Sequence, residues 1–526
     1  MPLKRQFFKS ARKYFREYCD LSTIHGMKYL AENRTNAERG WWLIVFLLSL
    51  TCCSYSIYLV SEKWKNTPII ISFANEEIPI YQIPFPAVTI CPLGKSYTYG
   101  HTKIIHKLDN SEPISETEYK SFSYINLICD DSSIDLEFSS KPKNFSFDDN
   151  FFNQDEFYNF ILNITDLYPI IFCRWRNQIF PCRDLFDMIL TDDGICYSFN
   201  LLSPKRIYKD DVQNYLFDPI NHETYDRSSN WSLDRGYSHD SGIDAYPRRA
   251  LFAGATNGLD VYFYEKLNVK DPLCKWPLQG FKVILHTPST VPRLSQEHLY
   301  LPLNKLLIGA IKPVVVNTSD QVKELKSLKR KCYFQNESSL RYFKEYTQNN
   351  CELDCLTRYT LYLCGCVAFY MPMDNVTTIC SSRKKKCMKE AERRMLSKKL
   401  KWNSENADDD EKLPQCECLP LCSDLSYEVE TSSMTWWSPV AQKQKPHTEV
   451  SRLVIYFKKN QFIPLKRQEF GDFIDILGIF GGLLGLFTGF SILSIIEIIY
   501  FLTVRLLYNI RLYGQWSGKK DEENNS

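Results

Sequence analysis

Neither sign of charge dominates this chain: 526 residues hold 64 Lys and Arg against 62 Asp and Glu, a net +2. That balance argues against nucleic acid as a partner, because a phosphate backbone selects an excess of cations. Enzyme signatures are missing too. His286, in "LHTPS", has the chemistry of a base, but no G-x-S-x-G elbow, paired metal ligands or phosphate loop accompanies it. It reads as a packing or hydrogen-bonding histidine, and the chain as no enzyme, with no cofactor and no metal. There is no internal repeat. A single core is excluded by length, which calls for several subdomains.

Two stretches are nearly free of charge where the rest is polar. Trp41 to Val60, "WWLIVFLLSLTCCSYSIYLV", is uncharged over twenty residues, the length that crosses a hydrocarbon core of roughly 30 Å. A signal peptide is the alternative, but a forty-residue charged leader and so long an apolar run fit an anchor better. Ile474 to Val504 is the second run, with Glu497 deep inside it. As one helix it would measure roughly 46 Å, so tilt or a break is expected. Nine Lys and Arg in residues 1–40, and Arg505 and Arg511 after the second run, place both termini in the cytosol of a two-span protein.

The segment between, residues 61–473, is then extracellular. Of nineteen cysteines, Cys19, Cys52 and Cys53 precede it and sixteen lie within it, an even number that suits an oxidised domain. "CGC" at 364–366 and "CEC" at 416–418 lack the spacer of zinc knuckles, so disulfides are preferred over metal. Six N-x-S/T acceptors share the region, at Asn144, Asn163, Asn230, Asn317, Asn336 and Asn375. Residues 66–91, "GLDVYFYEK" and "GFKVILHTP" read as strands; from 320 to 430 charged helical stretches carry ten cysteines. The basic run 383–386 and acidic run 408–411 read as solvated faces, and the tail "GKKDEENNS" as disordered.

The second run holds Gly478, Gly482, Gly485 and Gly489, spaced four, three and four apart, one stripe of a helix that permits close approach of a neighbour. A tight assembly face is one use of such a stripe. Ser491 and Glu497 point to another: a carboxylate in lipid is costly unless it meets water or a partner. A helix broken near Gly489 to Ser491 would bring carbonyls and these side chains to a shared aqueous axis. Two spans cannot enclose that axis alone, so several copies are required.

"STIHG" before the first run, "ERGWWLIVF" opening it, "FPAVTIC" after it, "DGICYSFN", "WSLDRGY", "NCELDC" and "GIFGGLLGLFTGFSILSIIEIIYF" occur in that order. Together they make the chain resemble, along nearly its whole length, the degenerin and epithelial sodium channel family, its insect pickpocket branch in particular. The resemblance implies a membrane protein of two transmembrane helices and a large disulfide-rich α+β ectodomain of palm, β-ball, finger, knuckle and thumb. It implies an amiloride-sensitive sodium or cation channel, a homotrimer or a heterotrimer with sibling subunits in the plasma membrane, with Na+ as the transported ion. The chain divides accordingly into a cytosolic segment 1–40, a first span 41–60, an extracellular domain 61–473 with its thumb about 320–430, a second span 474–504 and a cytosolic tail 505–526.

Residue by residue, Gly489, Phe490 and Ser491 match the family's selectivity filter, His25 and Gly26 its gating motif, and Gly478 the position where bulky residues lock relatives open. Ile479 stands where a proton-gated relative would carry an acid. The implied disulfides are Cys91 with Cys196, Cys173 with Cys182, Cys332 with Cys422, Cys351 with Cys418, Cys355 with Cys416, Cys364 with Cys387 and Cys366 with Cys380; the two left over, Cys129 and Cys274, are expected to pair. Phe490 departs from the usually small middle filter residue, which keeps open a non-conducting auxiliary subunit whose ectodomain senses an extracellular ligand. A surface receptor or adhesion protein is the third reading, and it leaves the glycines and Glu497 without a use.

Overall fold

The computed structural model describes residues 2–32, 35–66, 69–95, 106–107, 110, 112–129, 154–165, 169–212, 231–233, 235–266, 279–402, 414–437, 448–469, 471, 473–513 and 516–517. They form two compact units: Met1–Ile70 with Ser319–Glu324 and Gln468–Ser526, and Ile71–Thr318 with Leu325–Arg467.

The first unit is helical: α1 (Pro2–Leu21), α2 (Met27–Ala31), α3 (Asn36–Asn66), α4 (Phe473–Thr488), α5 (Ile492–Tyr500) and α6 (Leu506–Tyr513), with a π turn Phe501–Arg505 joining the last two. Two helical stretches, Asn36–Asn66 and Ile492–Leu512, are long and apolar enough to cross a membrane. α3 outruns its uncharged twenty residues at both ends, since the flanking Asn36–Gly40 and Ser61–Asn66 continue its hydrogen bonding. Leu43, Ile44, Leu47, Leu48, Ile495, Ile496 and Ile499 are exposed, a surface suited to lipid tails. The second apolar run is not one helix, because the chain leaves helical geometry between Thr488 and Ile492.

The second unit is α+β and rich in disulfides. Its strands are β1 (Ala87–Pro92), β2 (Ile170–Trp175), β3 (Gln178–Phe180), β4 (Phe186–Thr191), β5 (Gly194–Phe199), β6 (Leu259–Lys266), β7 (Phe281–His286), β8 (Leu299–Leu301), β9 (Lys305–Thr318), β10 (Asp424–Thr435) and β11 (Thr448–Phe457). A five-stranded antiparallel sheet runs β8-β7-β1-β5-β4. In an eight-stranded sheet β9 pairs antiparallel with β10, from Lys305 opposite Thr435 to Val316 opposite Asp424, and parallel with β11, which leads on through β6 and β2 to β3. Phe85, which is fully buried, sets Trp175, Phe199 and Phe457 edge-on around it at 4.8, 6.0 and 5.4 Å and so joins strands of both sheets in one core.

Two helices, Gln348–Cys364 and Lys385–Trp402, make the thumb segment. Thr347 caps the first by accepting from the Asn350 N–H, and Gly365, at φ 72°, ends it in the left-handed region. Seven disulfides are described, and they are the seven pairs that the family resemblance implies: Cys91–Cys196, Cys173–Cys182, Cys332–Cys422, Cys351–Cys418, Cys355–Cys416, Cys364–Cys387 and Cys366–Cys380. Cys19, Cys52 and Cys53 are free thiols. Cys274, Asn144, Asn230, the acidic run 408–411 and residues 518–526 lie outside the described residues. Asn163, Asn317, Asn336 and Asn375 are exposed.

His286 closes β7, buried, with Nε2 at 2.8 Å from Thr89 Oγ1 and Nδ1 at 3.0 Å from the Thr287 carbonyl. Burial holds its pKa down to about 4, so it is neutral and fully engaged at ordinary pH, with no free nitrogen for base catalysis.

Candidate functional site

The interruption of the second apolar run follows from three residues. Gly489 sits at φ 66°, where an L side chain is strained, and its N–H closes α4 on the Gly485 carbonyl at 2.9 Å, a left-handed glycine cap. Phe490 follows, half-buried, its N–H reaching back to the Leu484 carbonyl at 3.3 Å. Ser491 is extended and starts α5 through a reciprocal cap: its Oγ accepts from the Ser494 N–H at 3.3 Å, and Ser494 Oγ accepts from the Ser491 N–H at 3.2 Å.

A break of this kind leaves backbone groups without helical partners, and the N-terminal segment supplies a partner to one of them. The His25 N–H donates to the Thr488 carbonyl at 2.9 Å. His25 precedes Gly26, which at φ 88° turns the chain into α2. Approach at this point is close: a Cβ placed on Gly489 would fall 1.6 Å from His25 Nδ1. On the other side of the break Thr23 bonds α5. Its N–H and Oγ1 both donate to Glu497 Oε2, at 3.2 and 3.0 Å, and Oγ1 lies 2.9 Å from Ser494 Oγ, which is fully buried. The carboxylate that the bare sequence leaves alone in lipid thus has two donors.

Three further contacts continue this seam. Tyr14 donates its hydroxyl to the Phe501 carbonyl, at the start of the π turn. Glu17, buried, pairs with Arg505 at 2.8 Å and accepts from Ser517 Oγ at 2.9 Å. The Tyr18 ring stands edge-on to Phe501 at 5.3 Å. On the α3 side, Ser49 Oγ donates to the Phe487 carbonyl.

The triplet Gly489, Phe490 and Ser491 therefore lies in the break, with His25 and Gly26 beside it and Glu497 one turn beyond the cap. The glycine stripe is shorter than the spacing alone suggests, because Gly489 belongs to no helix. Gly478, Gly482 and Gly485 remain on α4, exposed, and a Cβ added at any of them meets nothing within 4 Å among the described residues. They are not packed against α3; they face open space. Thr23, Ser494 and the Glu17–Arg505 pair were not singled out by sequence. Ser494 had a signal, three residues past a helix-starting serine. The partners of Thr23 and Glu17, hundreds of residues away, had none. Among the described residues no three His, Cys, Asp or Glu side chains cluster to hold a metal ion.

The family model described as amiloride-sensitive sodium channel matches residues 18–501. Pickpocket protein 28 of Drosophila melanogaster is 29% identical over 512 residues, covering 93% of this chain and 78% of that protein. Sodium channel protein Nach of Drosophila melanogaster is 24% identical, covering 95% and 89%, and acid-sensing ion channel 1A of Danio rerio is 24% identical, covering 94% and 88%.

Proposed function

The chain belongs to the amiloride-sensitive sodium channel family, and from that premise we propose that it is a pore-lining subunit of a trimer, alone or with sibling chains, that passes Na+ along an axis bordered by the α4–α5 break. The observation that carries this is the break itself, held by the chain's own N-terminus. Non-helical backbone at membrane depth is tolerated only against protein or water. The His25 N–H engages one carbonyl, at Thr488, and no other hydrogen bond from the N-terminal segment reaches the backbone of residues 488–491 among the described residues. Carbonyls around an axis replace part of an ion's hydration shell, and Ser491 adds a small hydroxyl there. The exposed glycine face of α4 supports assembly, since a second copy approaches closely where no Cβ stands in the way.

In this reading the protein sits in the plasma membrane with both termini in the cytosol, so that residues 1–32 close the pore from inside. The disulfide-rich unit faces outward, carries glycans at its exposed acceptor asparagines and receives whatever extracellular stimulus opens the gate.

Phe490 favours a second reading. A ring at the middle of the triplet obstructs conduction if it turns to the axis, and the chain is then an auxiliary subunit that depends on a partner's path. Expression in oocytes, alone and with a sibling subunit, separates the two. For a pore-lining subunit, Ser491→Cys alters sodium over potassium preference or makes the current sensitive to thiol reagents, and Phe490→Ala raises current from the chain alone only if the ring faces the axis. If neither substitution changes permeation in a complex shown to contain this chain, the auxiliary reading stands.

A further inference from the structure

A cavity of about 250 Å³ lies within the disulfide-rich unit, between the end of β7, the first turn of the thumb helix Gln348–Cys364 and the start of β10. At about 30 Å³ per water it has room for roughly eight waters, the size of a small metabolite and not of a peptide. It is open to the surface, since Glu297, Asn349 and Ser426 line it and are exposed. Its walls are tied to one another. Asn350 joins the turn after β7 to the thumb helix: its Nδ2 donates to the Ser289 carbonyl at 3.2 Å and its Oδ1 accepts from the Val291 N–H at 3.2 Å. Cys351–Cys418 ties the same helix to the segment before β10, and Tyr427 on β10 donates its hydroxyl to the Pro84 carbonyl at 2.9 Å. A cavity fixed in this way is already shaped, so a ligand does not have to order it.

The lining decides the sign of the occupant. It includes two carboxylates, Asp424 and Glu297, and no Lys or Arg among the described residues, while its imidazole, His286, is neutral. Neither carboxylate is in an ion pair among the described residues. Burial pushes the Asp424 carboxyl above the usual range, against the opposing pull of the Leu425 N–H and of Arg467, so a cation at its side is what the wall lacks. The first turn of the thumb helix brings about half a positive charge, which two carboxylates outweigh. Trp231 and Tyr427 add aromatic surface, and such surface suits an organic cation better than a hydrated metal ion.

We infer that this cavity is a binding site for a small organic ammonium ion, with its charge matched by Asp424 and Glu297 and its apolar part on the aromatic wall. The inference gives the extracellular unit a ligand class and rests on the fold of that unit. Binding is measured directly, so its failure and the failure of the conduction reading are distinguishable.

The purified full-length chain in nanodiscs is dialysed to equilibrium with radiolabelled phenethylamine, an ammonium ion at neutral pH, in competition with unlabelled phenethylamine, neutral phenethyl alcohol or anionic phenylpropionate. Saturable binding is expected, displaced by the amine and not by the alcohol or the acid. Asp424→Asn weakens it by at least about tenfold, the scale of a hydrogen bond to a charged group. Ser426→Trp, which fills the mouth without a change of charge, abolishes it. Should Asp424→Asn fail to fold, Glu297→Gln, at an exposed position, carries the charge test with a loss of roughly threefold or more, since an exposed pair contributes less than a buried one. Absence of saturable binding, or displacement by the alcohol as readily as by the amine, overturns the recognition of a cation. Binding unchanged by the carboxylate substitutions or by Ser426→Trp overturns the placement in this cavity.

Discussion

Gly489→Ala is the most informative single change, because its cost can be worked from two distinct observations. The backbone stands at φ 66°, and an L side chain in the left-handed region costs roughly 1 to 2 kcal/mol. The new Cβ would also lie 1.6 Å from His25 Nδ1 and 2.4 Å from Cε1, so the imidazole must leave. His25 is exposed and its ring is free to swing, but the main-chain bond to Thr488 stays only if the segment moves no further; its loss adds roughly 0.5 to 1.5 kcal/mol. The docked arrangement is therefore disfavoured by about 1.5 to 3.5 kcal/mol in each subunit, a factor of about 12 to 300. In a conducting complex measured by voltage clamp, with surface protein matched by biotinylation, sodium over potassium preference should fall and the cytosolic segment should become more reactive to a thiol reagent at an engineered Ile24→Cys. His25→Ala removes the ring that the Cβ strikes, so the double variant should lose less than the sum of the two single changes. Wild-type permeation in Gly489→Ala at matched expression, or strict additivity with His25→Ala, would refute the idea that glycine is needed there for the approach of His25.

At Gly478 an added Cβ meets nothing within 4 Å among the described residues, so Gly478→Val should leave folding and surface level unchanged; constitutive current would then report crowding against a neighbouring subunit, and unchanged current would count against this position being at the gate. Thr23→Val and Glu497→Gln should each raise the resting open fraction, with a coupling of roughly 0.5 to 3 kcal/mol in a double-mutant cycle; a coupling of zero would mean the two bonds to Glu497 do not hold the gate. His286 should make the protein acid-sensitive. Its folded pKa of about 4 lies below the ordinary 6.5, so its contribution is fully present above pH 6.5, is lost progressively as pH falls from 6.5 to 4, and amounts to about 3 kcal/mol over that window. A thermal midpoint that is flat across this range, or one whose slope His286→Gln leaves intact, would show that the ring is not buried neutral. Peptide mapping without reduction should recover Cys129 joined to Cys274, and a free thiol at either would sink that pairing.

The membrane segments and the cysteine-rich domain were legible in sequence because each rests on a local signal: an uncharged run of bilayer length, and strands whose apolar residues lie side by side, as in β6 and β7. The break at Gly489 to Ser491 was legible for a similar reason, since glycine and serine there disfavour a continuous helix. The seven disulfide pairs came from resemblance, because spacing alone leaves many connectivities. Thr23 on Glu497, Tyr14 on Phe501 and Glu17 on Arg505 were out of reach. Each joins groups more than 470 residues apart, and nothing local in a threonine or a glutamate names a partner at that distance. For the same reason the glycine stripe was read one member too long: periodicity assigns Gly489 to a helix, whereas its backbone conformation removes it.

The nested disulfides of the thumb bear on what happens when the chain is cut. Three of them, Cys332–Cys422, Cys351–Cys418 and Cys355–Cys416, straddle every peptide bond between Cys387 and Cys416. A protease acting anywhere in that interval divides the polypeptide without releasing a fragment, and the strand β10 that follows stays tethered to the helices before the cut. Nicked and intact protein would then run together on a gel until reductant is added. Cleavage there is accordingly a change of strain and mobility in the thumb, not the loss of a piece.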